Sequence, residues 1–129
     1  MLDDELQQIL FNLSEKTKNN SKLIVNFAMA YGGRQEVVDA TIKIVEQVKS
    51  GKLDISEINE ETFSNNLWSS SEPNLIIRTG GENRTSNFLN FQAAYSEWIF
   101  LEKSWPEFEK EDFISAINEY TSREIRKGV

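Results

Sequence analysis

Hydrophobic residues recur along this chain with two different spacings, which predict alternating helices and strands. Through residues 2–13 they recur every three or four positions, which is the spacing of an amphipathic helix. Residues 23–30 are instead almost all apolar and are followed by Gly32 and Gly33. This second pattern is typical of a strand that is buried on both faces and ends in a tight turn. The first elements predicted are therefore a helix and a buried strand.

The middle of the chain is predicted to form a long helix and then an irregular connection. The helix ends near Gly51, a residue type common just after a helix, and its apolar positions are Val37, Val38, Ile42, Val45 and Val48. Residues 52–72 are predicted to be a connection with one short helix that starts at Asn59. This region links the first predicted strand to the second.

Two short strands and two further helices are predicted after the connection. The strands are placed at residues 75–78 and 98–101. Between them, a helical face is formed by Phe88, Phe91, Ala94 and Tyr95. A last helix ends at Gly128 and has its buried stripe at Phe113, Ile114, Ile117 and Tyr120.

Strands separated by helices predict an α/β fold with a parallel sheet, right-handed crossovers and flanking helices. The 129 residues have the length of a single domain, residues 1–129. Three strands nevertheless leave sheet edges that could pair with another strand, and a parallel sheet needs cover on both faces. The domain is therefore predicted to be incomplete.

The composition limits the chemistry that this chain can perform. With no cysteine and no histidine, it has no disulfide, no thiolate metal site and no imidazole base. A formal charge of −7 argues against a broad surface for nucleic acid. No apolar run is long enough for a membrane span and no signal-peptide pattern is present, so a soluble, cytoplasmic protein is expected. Carboxylates, hydroxyls and arginines remain, and local arginines in an acidic protein suggest a small anion as ligand.

The candidate chemistry is concentrated in residues 75–88, "LIIRTGGENRTSNF". Arg78 ends a predicted strand, where ligands of open α/β sheets bind, and the glycines that follow let the backbone turn toward a ligand. Arg84, Ser86 and the amides of the next segment could supply donors to a phosphate or diphosphate. A Gly-Gly turn whose surface arginines pair with Glu82 or Glu97 would have the same sequence. Both interpretations remain open from the residues alone.

Two segments of the chain are characteristic enough to compare with known proteins. The segment "NLIIRTGGENRTSNFLNFQAAYSEWIF", followed by "WPEFEKEDF", resembles the C-terminal signature of a known family, the cis-prenyltransferases or undecaprenyl diphosphate synthases. The earlier "NFAMAYGGRQEVVDA" is similar to its Tyr-Gly-Gly-Arg turn. The resemblance covers residues 23–128 and implies an undecaprenyl diphosphate synthase-like fold, incomplete in this chain. It also implies a transferase that condenses isopentenyl diphosphate onto an allylic diphosphate to make a polyprenyl diphosphate.

The resemblance implies roles for several residues. Arg78, Arg84 and Ser86 would bind the diphosphate of isopentenyl diphosphate. Glu97 would lie near a Mg²⁺ cofactor, although an ordinary solvated carboxylate is the alternative for this residue. Arg126 and Gly128 match an R-x-G element that reaches the neighbouring subunit's substrate in a homodimer; a helix end with basic residues and a glycine cap also explains them. A lipid product further implies peripheral contact with a membrane.

The family's N-terminal Asp-Gly-Asn-x-Arg-Trp-Ala segment has no counterpart in these residues. Since the aspartate of that segment handles the allylic diphosphate, no catalytic residue is assigned here, and the chain alone is not expected to elongate a prenyl chain. Two hypotheses follow. The chain is the C-terminal portion of an enzyme, as a fragment, a truncated product or part of a split enzyme. Alternatively, it is a non-catalytic partner that dimerises with a complete synthase and contributes its R-x-G tail.

Overall fold

A computed structural model describes residues 3–124 of the chain. The chain divides into two compact units, Met1–Tyr31 and Gly32–Val129. In the described part, no helix combines the length and apolar character that crossing a membrane demands.

The first unit contains helix α1, Asp4–Thr17, which confirms the predicted N-terminal helix and extends it. Asp3 caps α1 by accepting a hydrogen bond of 2.7 Å from the Leu6 N–H. The predicted strand at residues 23–30 is wrong for this chain, because the described residues of this segment form no strand. Leu23 and Ile24 are 75% and 80% exposed. An apolar run becomes a strand only when it pairs with a neighbouring strand, and the described residues of this segment pair with none.

The second unit contains a sheet of two strands, β1 (Leu75–Arg78) and β2 (Glu97–Phe100). They pair in parallel, with Leu75 opposite Glu97 and Arg78 opposite Phe100. This confirms the parallel α/β arrangement for two of the three predicted strands. Both carboxyl ends lie at one edge of the sheet, next to the loop that follows Arg78.

Helix α2, Gly33–Lys49, confirms the second predicted helix, and Gly51 follows it with a positive φ of 71°. Its buried residues are Gly33, Glu36, Ala40 and Ile44. The larger apolar residues that predicted the helix, such as Ile42 and Val45, are exposed. The face of α2 that packs against the unit therefore consists of a glycine, the apolar side chains of Ala40 and Ile44, and one carboxylate.

The remaining helices are α3 (Glu60–Ser64) and α4 (Lys110–Ser122), with 3-10 turns at Ile55–Glu57 and Trp105–Glu107. Asn59 caps α3 as predicted. Helix α4 ends before the predicted Gly128, because Arg123 adopts an extended conformation.

The helix predicted around Phe88 and Phe91 is wrong, since residues 86–95 form turns. Ser86, Asn87 and Leu89 have φ of 48°, 65° and 48°. A right-handed helix requires negative φ, so this backbone excludes it.

Asp112 at the start of α4 gives the fold an expected dependence on pH. A hydrogen bond from the Glu109 backbone N–H, and then one from Lys103, hold the pKa of Asp112 below its usual value. A carboxyl group with a lowered folded pKa stabilises the fold above its unfolded pKa of about 3.9, and this stabilisation disappears as pH falls through the folded pKa. Asp112→Asn should therefore lower the thermal midpoint at pH 7. Below about pH 4, the thermal midpoint of the variant should fall less steeply with pH than that of the unmodified chain.

Thermal unfolding followed by circular dichroism from pH 7 to pH 2.5 measures this effect. Glu111→Gln is the matched control, because Glu111 is exposed on the same helical turn and has no side-chain hydrogen bond within residues 3–124. Parallel acid profiles for Asp112→Asn and the unmodified chain would contradict the prediction.

Candidate functional site

The candidate site begins at Arg78, the last residue of β1. Its Nη1 donates a hydrogen bond of 2.9 Å to the Ser86 hydroxyl and another to the Arg84 carbonyl oxygen. The other N–H groups of Arg78 have no partner within residues 3–124. The loop therefore fixes the direction of the Arg78 guanidinium and leaves donors available for a ligand.

The Gly80-Gly81 turn holds this loop against the chain that leaves β2. The Gly80 N–H donates to the Lys103 carbonyl at 2.8 Å, and the Gly81 N–H donates to the Leu101 carbonyl at 2.9 Å. Both glycines have positive φ, of 95° and 72°, as tight turns of this kind require. The turn thus returns the chain to the sheet edge at which Arg78 lies.

The Arg84 side chain lies at the surface and pairs with Glu82. Its Nη2 is 3.0 Å from Glu82 Oε2, and the two side chains are 63% and 50% exposed. This is one of the ion pairs that the sequence left open as an alternative to a ligand site. Exposed pairs of this kind contribute little stability, so a phosphate could replace the Glu82 carboxylate.

Asn87 links this loop to the first turn of α2. The Gly33 N–H donates to the Asn87 carbonyl oxygen and the Arg34 N–H donates to the Asn87 Oδ1, each at 2.8 Å. A Cβ on Gly33 would lie 3.0 Å from the Asn87 carbonyl, so only glycine allows this approach without a shift. Gly33 and Arg34, in the first turn of α2, thereby pack directly on the arginine loop.

A buried carboxylate makes a second connection between α2 and the segment that follows the loop. Glu36 is 1% exposed, and its Oε1 accepts hydrogen bonds from the Trp68 and Ser69 N–H groups at 2.9 and 3.3 Å. Gln92 donates through Nε2 to the same oxygen at 3.0 Å and to the Ser69 carbonyl at 2.8 Å. The sequence prediction missed Glu36, because only its position four residues before Ala40 on the helix distinguishes it from solvated carboxylates.

The structure does not bring Glu97 beside Arg78. Glu97 lies opposite Leu75, so it is about 10 Å further back along the strands than Arg78. Leu75 and Arg78 are separated by an odd number of positions, and their side chains point to opposite faces of the sheet. In this chain Glu97 and Arg78 therefore face opposite sides of the sheet, and the role near Mg²⁺ that the resemblance implies for Glu97 stays a prediction.

Glu97 instead pairs with Arg123, which follows α4. The Arg123 Nη1 lies 2.7 Å from Glu97 Oε2 and donates to the Trp98 carbonyl at 3.1 Å, while Nη2 contacts Glu119. Hydrogen bonds to Glu97 and then to Glu119 raise the pKa of Arg123. Glu97 is thus half-buried in an ion pair, which differs from the solvated carboxylate considered from the sequence.

The described residues do not form a magnesium site by themselves. Within residues 3–124, no group of three or more acidic side chains is arranged to hold a metal ion. Glu97, the expected ligand, is occupied by Arg123. Arg126 and Gly128, the other expected substrate-binding residues, lie outside the described residues.

Comparison with known families and curated proteins gives matches over almost the whole chain. Residues 1–128 match the model of a prenyltransferase family described as putative undecaprenyl diphosphate synthase. The chain is 46% identical to an isoprenyl transferase of Oceanobacillus iheyensis over 116 residues, which are 88% of this chain and 46% of the relative. It is 42% identical to the tritrans,polycis-undecaprenyl-diphosphate synthase (geranylgeranyl-diphosphate specific) of Methanocaldococcus jannaschii, over 99% of this chain and 47% of the relative. The chain thus spans about half the length of these relatives.

Solved structures agree with the sequence matches. Lavandulyl diphosphate synthase from Lavandula x intermedia, in complex with dimethylallyl diphosphate, is similar with a TM-score of 0.91 and 33% identity. That similarity covers 97% of this chain and 55% of the synthase. A probable undecaprenyl diphosphate synthase from Campylobacter jejuni is similar with a TM-score of 0.83 and 35% identity, over 97% of this chain and 57% of that one.

Proposed function

This chain belongs to the undecaprenyl diphosphate synthase family of prenyltransferases, and from that premise we propose that it binds the diphosphate of isopentenyl diphosphate for condensation with an allylic diphosphate. The observation that carries the proposal is the pair of hydrogen bonds from the Arg78 guanidinium to the Ser86 hydroxyl and to the Arg84 carbonyl oxygen at the end of β1. The product of the condensation would be a polyprenyl diphosphate. The alternative role, as a non-catalytic partner of a complete synthase, would use the same fold without this site.

In the proposed site, each residue has a separate task. Arg78 offers to phosphate oxygens the N–H groups that have no partner within residues 3–124, since a guanidinium can donate two parallel hydrogen bonds to such a group. The Arg84 guanidinium separates from the Glu82 carboxylate and pairs with the anion instead. The Ser86 hydroxyl accepts from Arg78, so its own proton remains available for a phosphate oxygen.

Magnesium and a second subunit belong to the proposal on the strength of the family resemblance. Mg²⁺ commonly binds through one or two carboxylates together with substrate phosphates, so the ion would arrive with the diphosphate. The described residues do not hold the ion alone. Arg126 and Gly128 would act across a homodimer interface, and a cytoplasmic location remains a prediction.

The Glu82–Arg84 ion pair provides a test in which two substitutions change affinity in opposite directions. Arg84→Gln should weaken binding of isopentenyl diphosphate about tenfold, through loss of one charge-assisted hydrogen bond of about 1.5 kcal/mol. Glu82→Gln should strengthen binding about two- to fivefold, because an exposed pair of up to about 1 kcal/mol no longer competes with the ligand. Isothermal titration calorimetry at constant ionic strength measures both effects.

Lys52→Gln is the charge-matched control for Arg84→Gln, since Lys52 is exposed and its side chain forms no ion pair within residues 3–124. Its affinity should equal that of the unmodified chain. If Lys52→Gln and Arg84→Gln weaken binding equally, the effect arises from net charge alone, and this result would contradict the site. Absence of any binding by the unmodified chain would contradict the proposed function.

A further inference from the structure

The first turn of α2 is capped by a residue from a distant part of the chain. Gly32, at the N-cap position of α2, has no side chain to accept a hydrogen bond. Asn87 instead accepts from the Gly33 N–H through its carbonyl oxygen and from the Arg34 N–H through Oδ1, both at 2.8 Å. Asn87 therefore supplies an N-cap across 53 positions of sequence.

Asn87 is suited to this contact by its backbone as well as its side chain. Its φ is 65°, in the left-handed region that asparagine tolerates better than most residues. The Asn90 Nδ2 donates to the same Asn87 Oδ1 at 2.8 Å. Two donors thus fix the orientation of the Asn87 amide within the described structure.

The residue before Asn87 is the one that contacts Arg78. Ser86 accepts from Arg78 Nη1 at 2.9 Å, and its own φ of 48° is unfavourable for a serine. A strained conformation persists only where surrounding contacts impose it. The bonds from Asn87 to α2 are the adjacent contacts that hold Ser86 in this position.

We propose that Asn87 is a positioning residue for the diphosphate site, because it fastens the Arg84–Ser86 segment to the N-terminus of α2. It acts through Ser86 and Arg78 and has no contact with the ligand in this role. The inference rests on the proposed function of the site. Loss of the Asn87 side chain should free the loop, so that the guanidinium and hydroxyl donors are no longer held together before the anion binds.

Asn87→Gly tests the role, because glycine accommodates the positive φ and removes the side chain that carries the Oδ1 acceptor. The expected result is a weakening of inorganic pyrophosphate binding by about tenfold in calorimetric titrations. Asn59→Gly is the matched control, since Asn59 caps α3 through a bond of 2.9 Å from the Thr62 N–H. The control should lower the thermal midpoint and leave pyrophosphate affinity unchanged.

Asn87→Asp tests for rescue, because its carboxylate can still accept from the Arg34 N–H. At an ionic strength near 0.5 M, which screens the added charge, its affinity should return to within about threefold of the unmodified chain at the same salt concentration. The Arg34 amide resonance in ¹⁵N spectra should move in Asn87→Gly and return toward its original position in Asn87→Asp. Rescue of both readouts supports positioning through the cap.

The outcomes separate this inference from the proposed function. Pyrophosphate binding that is lost in Arg78→Ala but unchanged in Asn87→Gly would overturn the positioning role and retain the diphosphate site. Equal weakening by Asn87→Gly and Asn59→Gly would also overturn it, because the effect would follow from stability alone. If the unmodified chain binds neither pyrophosphate nor isopentenyl diphosphate, the proposed function fails and the inference fails with it.

Discussion

Replacement of Arg78 by alanine should weaken binding of isopentenyl diphosphate about 100-fold, which corresponds to about 3 kcal/mol. The size follows from the position of the guanidinium, which the Arg84 carbonyl and Ser86 hydroxyl orient before any ligand is present. An anion that bridges two N–H groups of one guanidinium gains two charge-assisted hydrogen bonds at once. Titration calorimetry gives the affinity, and the thermal midpoint should change little because the lost bonds are exposed.

Arg78→Lys separates charge from geometry. Lysine keeps the positive charge but has no planar fork, so its binding should be weakened about tenfold, between that of the unmodified chain and the alanine variant. If Arg78→Lys binds with the affinity of the unmodified chain, only the charge of residue 78 matters. If Arg78→Ala does so, the anion binds elsewhere and the main support of the proposed function is lost.

Glu36→Ala should lower the free energy of unfolding by about 3 kcal/mol or more. Three donors meet one buried oxygen at 2.9, 3.3 and 3.0 Å, so the substitution leaves the Trp68 and Ser69 N–H groups and the Gln92 amide without that acceptor. Unpaired buried donors lose their hydration without compensation. Since domains of this size are stable by only about 5–15 kcal/mol, the expected loss is a large part of the total.

Urea unfolding followed by tryptophan fluorescence measures this loss from the midpoint and slope. Glu46→Ala is the matched control, because Glu46 is exposed on the same helix and should change stability by no more than about 0.5 kcal/mol. Glu36→Gln keeps a neutral acceptor, and its loss should be intermediate. If the free energy of unfolding of Glu36→Ala lies within about 1 kcal/mol of that of the unmodified chain, a structural role for this carboxylate is refuted.

The parts of the candidate site that depend on residues close together in the chain could be predicted from the sequence. Arg78 follows an apolar run, and Gly80 and Gly81 mark the turn after it, so the sequence predicts both the strand end and the loop. The structure brings the Ser86 hydroxyl and the Arg84 carbonyl oxygen to Arg78. A shared role of the Arg84 guanidinium and the function of these residues as an anion site stay predictions. Glu97 was different, because its direction depends on strand register, which the apolar pattern of β2 does not specify.

The sequence alone determined the helices α1 and α2, the short strands β1 and β2 and their parallel order, because spacing and turn residues act over a few positions. Contacts between distant residues decided the rest. The apolar run at residues 23–30 did not become a strand, since strand formation depends on a partner that no local pattern supplies. Glu36 became a buried acceptor and Asn87 the cap of α2 because donors 32 and 53 positions away meet them in the folded unit. Such polar pairings cross the sequence, and only the tertiary structure brings them together.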